Sequence, residues 1–100
     1  MDINQLTQSA EKVSASYAKD YELKRDSEWF IFKLQEEVGE LTKAYLKLSR
    51  RGLPKGTTQD QIAANFEEEL ADVFGHTLLV ANHFGVDLQK VFKKKWLKFL

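Results

Sequence analysis

The stretch Ser27 to Arg51, SEWFIFKLQEEVGELTKAYLKLSRR, decides the fold. It contains no proline, and Phe30, Leu34, Val38, Leu41, Ala44, Tyr45 and Leu48 fall on one arc when residues are placed about 100° apart. That spacing predicts a helix opening at Ser27, an N-cap residue type, and closing at Arg51. There the loop RGLPKGTT supplies Gly52, Pro54 and Gly56. One residue breaks the pattern. Glu37 falls inside the apolar arc, between Phe30 and Ala44, so its side chain is expected to be substantially buried. An ionised carboxylate removed from water without a partner is so costly that Glu37 implies a cation, a metal or a raised pKa. Glu40 sits one turn on at the edge of the arc, and Glu36 lies on its polar flank.

The pattern repeats further along the chain. Thr58 and Gln61 read as a capping box that opens a third helix, with Gly85 as the residue after its end. Ile62, Phe66, Leu70, Val73, Thr77, Val80 and Phe84 form its apolar arc, and Glu69, Asp72 and His76 align along one border. Before the Ser27 segment, Ile3, Leu6, Ala10, Val13 and Tyr17 predict a first helix from Ile3 to Asp20. After Gly85, Asp87 caps a short fourth helix carrying Leu88, Val91, Phe92 and Trp96. No stretch alternates apolar and polar residues with period two, so no strand is expected. The fold class is all-α: four helices in one domain spanning residues 1–100. Gly39 and Gly75 inside helices are expected to permit close helix packing.

The apolar residues of Val73 to Phe84, VFGHTLLVANHF, cover more than one helix face. One copy should leave Leu78, Leu79 and Phe84 poorly covered, so the chain is expected to form a homodimer or homotetramer bundle. A core built from 100 residues also gains from burial against a second copy.

Composition narrows the function classes. The 15 basic and 15 acidic side chains balance, which argues against recruitment by a nucleic-acid backbone. With no cysteine there is no disulfide framework, thiolate zinc site or cysteine nucleophile. The N-terminus MDINQLTQSAEKV lacks a basic segment followed by an apolar run, and no segment is apolar enough to cross a membrane. A cytoplasmic location is the expectation.

Two antiparallel helices joined by the RGLPKGTT loop can oppose Glu37 and Glu40 to Glu69 and Asp72. Four hard oxygen ligands around one point suit magnesium, or manganese. A di-iron bundle would want Glu-x-x-His on facing helices, where this chain offers Glu69-x-x-Asp72. His76 and His83, seven residues apart, read as core or interface histidines. Trp29 shares the face of Lys33, Glu36 and Glu40; it has two readings, a core side chain or a platform for stacking a base.

EEVGEL, Glu36 to Leu41, and EELADV, Glu68 to Val73, together resemble the MazG-type nucleotide pyrophosphohydrolases of the all-α NTP pyrophosphatase superfamily. The family pattern E-E-x-x-E, a spacer, then E-x-x-D reads here as Glu36, Glu37, Glu40, Glu69 and Asp72. The likeness extends over GVDLQKVFKKKW, so it covers Trp29 to Trp96. It implies magnesium-dependent hydrolysis of a nucleoside triphosphate to the monophosphate and pyrophosphate, in nucleotide-pool cleansing. Glu37, Glu40, Glu69 and Asp72 would be metal ligands, and Glu36 or one of those ligands would activate the water, Glu36 being chosen because it lies off the apolar arc yet next to Glu40. Lys95 matches a phosphate-binding lysine of the last helix. Where the family often continues with asparagine and arginine, this chain reads Trp96, Leu97, Lys98. Two alternatives stand beside this reading: a phosphoribosyl-ATP pyrophosphohydrolase of the same superfamily, and a non-catalytic helical interaction module whose carboxylates hold a metal for assembly.

Overall fold

The structure is a computed structural model and describes residues 1–49 and 56–100. Four helices follow in order: α1 (Ile3–Asp20), α2 (Ser27–Leu48), α3 (Gln59–His83) and α4 (Leu88–Trp96), with a single 3₁₀ turn over Leu97–Phe99. No strand occurs among the described residues. None of the described helices is long and apolar enough to cross a membrane.

Each helix begins where a side chain can accept an orphan backbone N–H. Asp2 and Thr58 form reciprocal capping boxes with Gln5 and Gln61, and Asp87 accepts from the Lys90 amide. For α2 the cap is Asp26, not Ser27 as the sequence predicts; its carboxylate takes the Trp29 amide at 2.8 Å. Ser27 becomes the first helical residue, and its hydroxyl instead meets His83 Nε2 at 2.9 Å. The helix also stops sooner than predicted, at Leu48, with Ser49 as its C-cap; Arg50 to Lys55, including Gly52 and Pro54, lie outside the described residues.

At the end of α3, Gly85 adopts φ +67, and the amides of Gly85 and Val86 bond back to Asn82 and Ala81. This double closure needs a left-handed residue, which glycine supplies without a Cβ clash. The end of α1 closes the same way through Lys19 and Ala18, but with Glu22 at φ 54 in the left-handed position.

α2 and α3 pack antiparallel. As α2 partners descend from Tyr45 through Glu37 to Phe30, their α3 neighbours ascend from Phe66 through His76 to His83. Phe30, Ala44, Ile62, Leu78, Leu79 and Ala81 are buried, and each large apolar side chain so placed contributes about 1.5–3 kcal/mol. α1 lies against α3 and is pinned by Arg25, which bonds Glu11 and Ser14 and passes over the Phe30 ring at 5.2 Å.

Three packing expectations change. Leu78 and Leu79 are buried within a single copy, because α1 covers the face of α3 that α2 leaves free; of the three residues expected to be uncovered, only Phe84 is half exposed. Of the apolar residues whose spacing predicts α1, Val13 and Tyr17 are exposed, while Ser14 and Ala18 are buried. A Cβ at Gly39 or Gly75 would meet nothing within 4 Å, so neither glycine serves close packing within the chain.

Among the described residues α4 packs chiefly on the 3₁₀ turn that follows it, and its first residue, Leu88, borders a small pocket with Ile3 and Thr7 of α1 and Ala81 of α3. Val91, Phe92 and Trp96 are each about half exposed or more, and the Phe92 and Trp96 rings stack on one another at 5.8 Å.

Candidate metal centre and adjoining cleft

The inward stripe of α3 is Ile62, Phe66, Glu69, Val73, His76 and Val80, with alternating spacings of four and three; all are buried or half-buried, whereas Leu70 is half exposed. Packing has turned α3 so that Glu69 lies in the seam and not on its border. The antiparallel register then sets Glu69 and Asp72 opposite Glu37. One carboxylate oxygen from each of these three lies within 4.8 Å of the other two.

Burial differs across the three. The Glu37 side chain is 15% exposed, as its position in the apolar arc predicts. Glu69 is half-buried, and its Oε2 is shut off from solvent without a hydrogen-bond partner. Asp72 is exposed. Burial pushes the Glu37 carboxyl above its ordinary value, with Asp72 adding to the rise and Lys33 opposing it. Burial also raises Glu69, helped by Asp72, Glu37, Glu40 and Glu68. His76 Nε2 stands 3.9 Å from Glu37 Oε1, and burial lowers the histidine's pKa.

Carboxylates forced together with one oxygen orphaned are disfavoured unless a cation joins them. A hard divalent ion fits the donor set, which is all oxygen. The orphaned Glu69 Oε2 is the observation that makes the fit specific.

The remaining sequence candidates are placed unevenly. Glu40 is exposed; its carboxylate is outside the 4.8 Å group, though its charge acts on both Glu37 and Glu69. Glu36 points outward and pairs with Lys33 Nζ at 3.3 Å. Trp29 packs edge-on against Phe30 and also lines a cleft of 620 Å³ between α1, α2 and α3. That cleft reaches the acidic group through Glu37 and Asp72, and its walls include Leu6, Val13, Tyr17, Phe74 and Leu78. The two readings of Trp29, core and exposed wall, are thus both partly met. Lys95 is exposed near the C-terminal end of α4 and does not line the cleft.

Lys33 also lines the cleft, although it belongs to neither acidic motif. The available signal was its position four residues before Glu37 and four after Trp29, which stacks the three on one face of α2.

A family model described as phosphoribosyl-ATP pyrophosphohydrolase matches residues 4–95. This family lies within the all-α NTP pyrophosphatase superfamily that the paired acidic motifs resemble. Neither the curated proteins nor the solved structures include a match.

Proposed function

The chain belongs to the phosphoribosyl-ATP pyrophosphohydrolase family, and we propose on that premise that it cleaves the α–β phosphoanhydride of a triphosphorylated nucleotide. The products are the nucleoside monophosphate form and pyrophosphate. The family match favours phosphoribosyl-ATP, the alternative on sequence grounds, over the free nucleoside triphosphates first inferred from the acidic motifs.

One observation supports the site above the rest: three carboxylates from two helices converge with a buried Glu69 oxygen unpartnered. In this reading Glu37, Glu69 and Asp72 hold magnesium, with Glu40 as the fourth carboxylate of the set. A divalent ion there supplies charge neutralisation around the α-phosphorus and acidifies water. The chain's own residues do the rest. The apolar walls of the cleft offer surface to the nucleotide, Trp29 offers a ring face to a base, and Glu36 takes the proton of the attacking water. The apolar face of α4 is covered by a second copy, as a homodimer or homotetramer, and Lys95 binds phosphate in that assembly.

The test is pyrophosphate release from phosphoribosyl-ATP and a panel of nucleoside triphosphates, with magnesium or with chelator, and with products identified. Magnesium-dependent monophosphate and pyrophosphate are expected, fastest from phosphoribosyl-ATP. Orthophosphate and diphosphate products would overturn the bond assigned. No turnover of any substrate would leave the non-catalytic assembly module as the better reading.

A further inference from the structure

The cleft is walled by α1, α2 and α3 and is open on its fourth side. The rim there is apolar: Val13 and Tyr17 on α1 and Phe74 on α3 line the cleft, and each is about half exposed or more. Along α1 the residues Ile3, Leu6, Ala10, Val13 and Tyr17 succeed one another at intervals of three and four, the spacing of a helix that meets another helix. Yet the residues α1 buries are Ser14 and Ala18. The far half of its apolar stripe is left without a partner among the described residues.

α4 has the complementary deficit. Val91, Phe92 and Trp96 share one arc of the helix at about 100° per residue, and Lys95 falls inside that arc, between Val91 and Phe92. A cation set among apolar side chains calls for an anion, as Glu37 in its own arc calls for a cation. Residues 88–100 hold five lysines and no acidic side chain, whereas residues 1–87 hold ten basic and fifteen acidic ones. The cleft, apolar at its rim and acidic at Glu37 and Asp72, matches α4 in both respects. Length agrees as well. The nine residues of α4 span about 14 Å, and α1 runs about 16 Å from Leu6 to Tyr17. The α4 of the same chain is held elsewhere: Asp87 caps it through the Lys90 amide, and Leu88 borders the pocket with Ile3, Thr7 and Ala81. Folding it back over its own cleft would unseat Leu88.

We propose that α4 of a second copy forms the open wall of this cleft and directs its Lys95 at Glu37 and Asp72, so that each site is built from two chains. This inference rests on the assembly read above for α4 and adds where that helix goes and what it brings. The exchange is reciprocal, as a two-fold interface requires. The exposed parts of Phe92, Trp96 and Phe99 amount to about 400 Å², taking about 200 Å² for each aromatic side chain. A stable dimer buries roughly 1,200–2,000 Å² in all, which two helices and two clefts divide into about 300–500 Å² each. The patch has the size the exchange needs. Three carboxylates also carry one negative charge more than a divalent ion balances, and Lys95 of the partner subunit offsets it.

The experiment uses the absence of cysteine from the chain, so that introduced thiols report contacts alone. V13C on the rim and Q89C beside Trp96 on α4, mixed and treated with a short bismaleimide, should give a covalent dimer. K43C, on the outward side of α2, mixed with Q89C should not. The V13C/Q89C double variant should also link between chains; a cross-link within one chain would overturn the proposal. Charge exchange supplies a second readout, by sedimentation in chelator. K95E and D72K should each weaken the dimer by about tenfold or more, because each sets like charges together in both clefts. Mixed, the two should associate nearly as well as wild type, since opposite charges then meet in both clefts. Cross-linking without this recovery would overturn the part given to Lys95. A wild-type dimer showing neither result would overturn the placement of α4 and leave the assembly standing, whereas a monomeric wild type would overturn the assembly itself. If D72K lacks helical circular dichroism, the cross-links decide where α4 goes. None of these readouts requires turnover, so they stand apart from the hydrolysis.

Discussion

Glu37 on α2 and His76 on α3 face one another across the seam, with Oε1 and Nε2 3.9 Å apart and both side chains largely buried. Burial drives each toward its neutral form: it raises the glutamic acid and lowers the histidine. At neutral pH the contact is therefore not an ion pair that secures the helices. The seam at this level is held apart from the usual logic of salt bridges, and its strain is concentrated on the carboxylates.

That strain sets a pH dependence. Glu69 has a folded pKa above its unfolded value, so its share of stability is fully present below about pH 4.5 and is lost as pH rises through the raised value. In chelator, Glu69→Gln should therefore melt a few degrees above wild type at pH 7.5, and the advantage should vanish near pH 4. Thermal melts across that range check it. Equal melting temperatures at pH 7.5 would show that the buried oxygen is not strained.

His76 gives the opposite sign. Its folded pKa lies below the unfolded value near 6.5, so its contribution is present above that pH and is lost as pH falls through the lowered value. His76→Gln should reduce the acid-side loss of stability between about pH 6.5 and 5. Denaturant midpoints of the two proteins over that interval measure the difference.

Magnesium should stabilise the fold through the three converging carboxylates. A ligand at 100 times its dissociation constant adds about 2.7 kcal/mol. Wild type should gain melting temperature with magnesium, and Glu37→Gln and Asp72→Asn should lose most of that gain. Glu40→Gln should lose less, since its carboxylate lies outside the 4.8 Å group. An equal gain in all four proteins would place the ion elsewhere.

Glu22 occupies the left-handed position that ends α1, at φ 54. A residue with a Cβ is disfavoured there and glycine is not, so Glu22→Gly should stabilise the chain by about 0.5–1 kcal/mol. Urea unfolding would register this as a higher midpoint at constant slope.

The uncovered face of α4 leads to a prediction about assembly. Sedimentation at micromolar concentration should show a dimer or tetramer, and Trp96→Ser should shift it toward monomer. A monomeric wild type would remove the second copy from the reading of α4.

Local chemistry made much of this protein legible from its residues. α1 spans Ile3 to Asp20 as its spacing predicts, and the Thr58 box and the Gly85 closure stand where capping rules put them. These features depend on hydrogen bonds between near neighbours in the chain, which a sequence states directly. Glu37 was also legible, because a carboxylate inside an apolar arc conflicts with its surroundings in any all-helical packing. The rotation of α3 was not. Its apolar residues spread over a wide arc and fit more than one orientation, and only contact with both α1 and α2 buried Leu78 and Leu79 and turned Glu69 into the seam. Glu36, Glu40 and Lys95 share the same motif logic, yet tertiary structure left them at different distances from the acidic group. Lys33 entered the cleft for the same reason: three helices must meet before a wall exists for it to line.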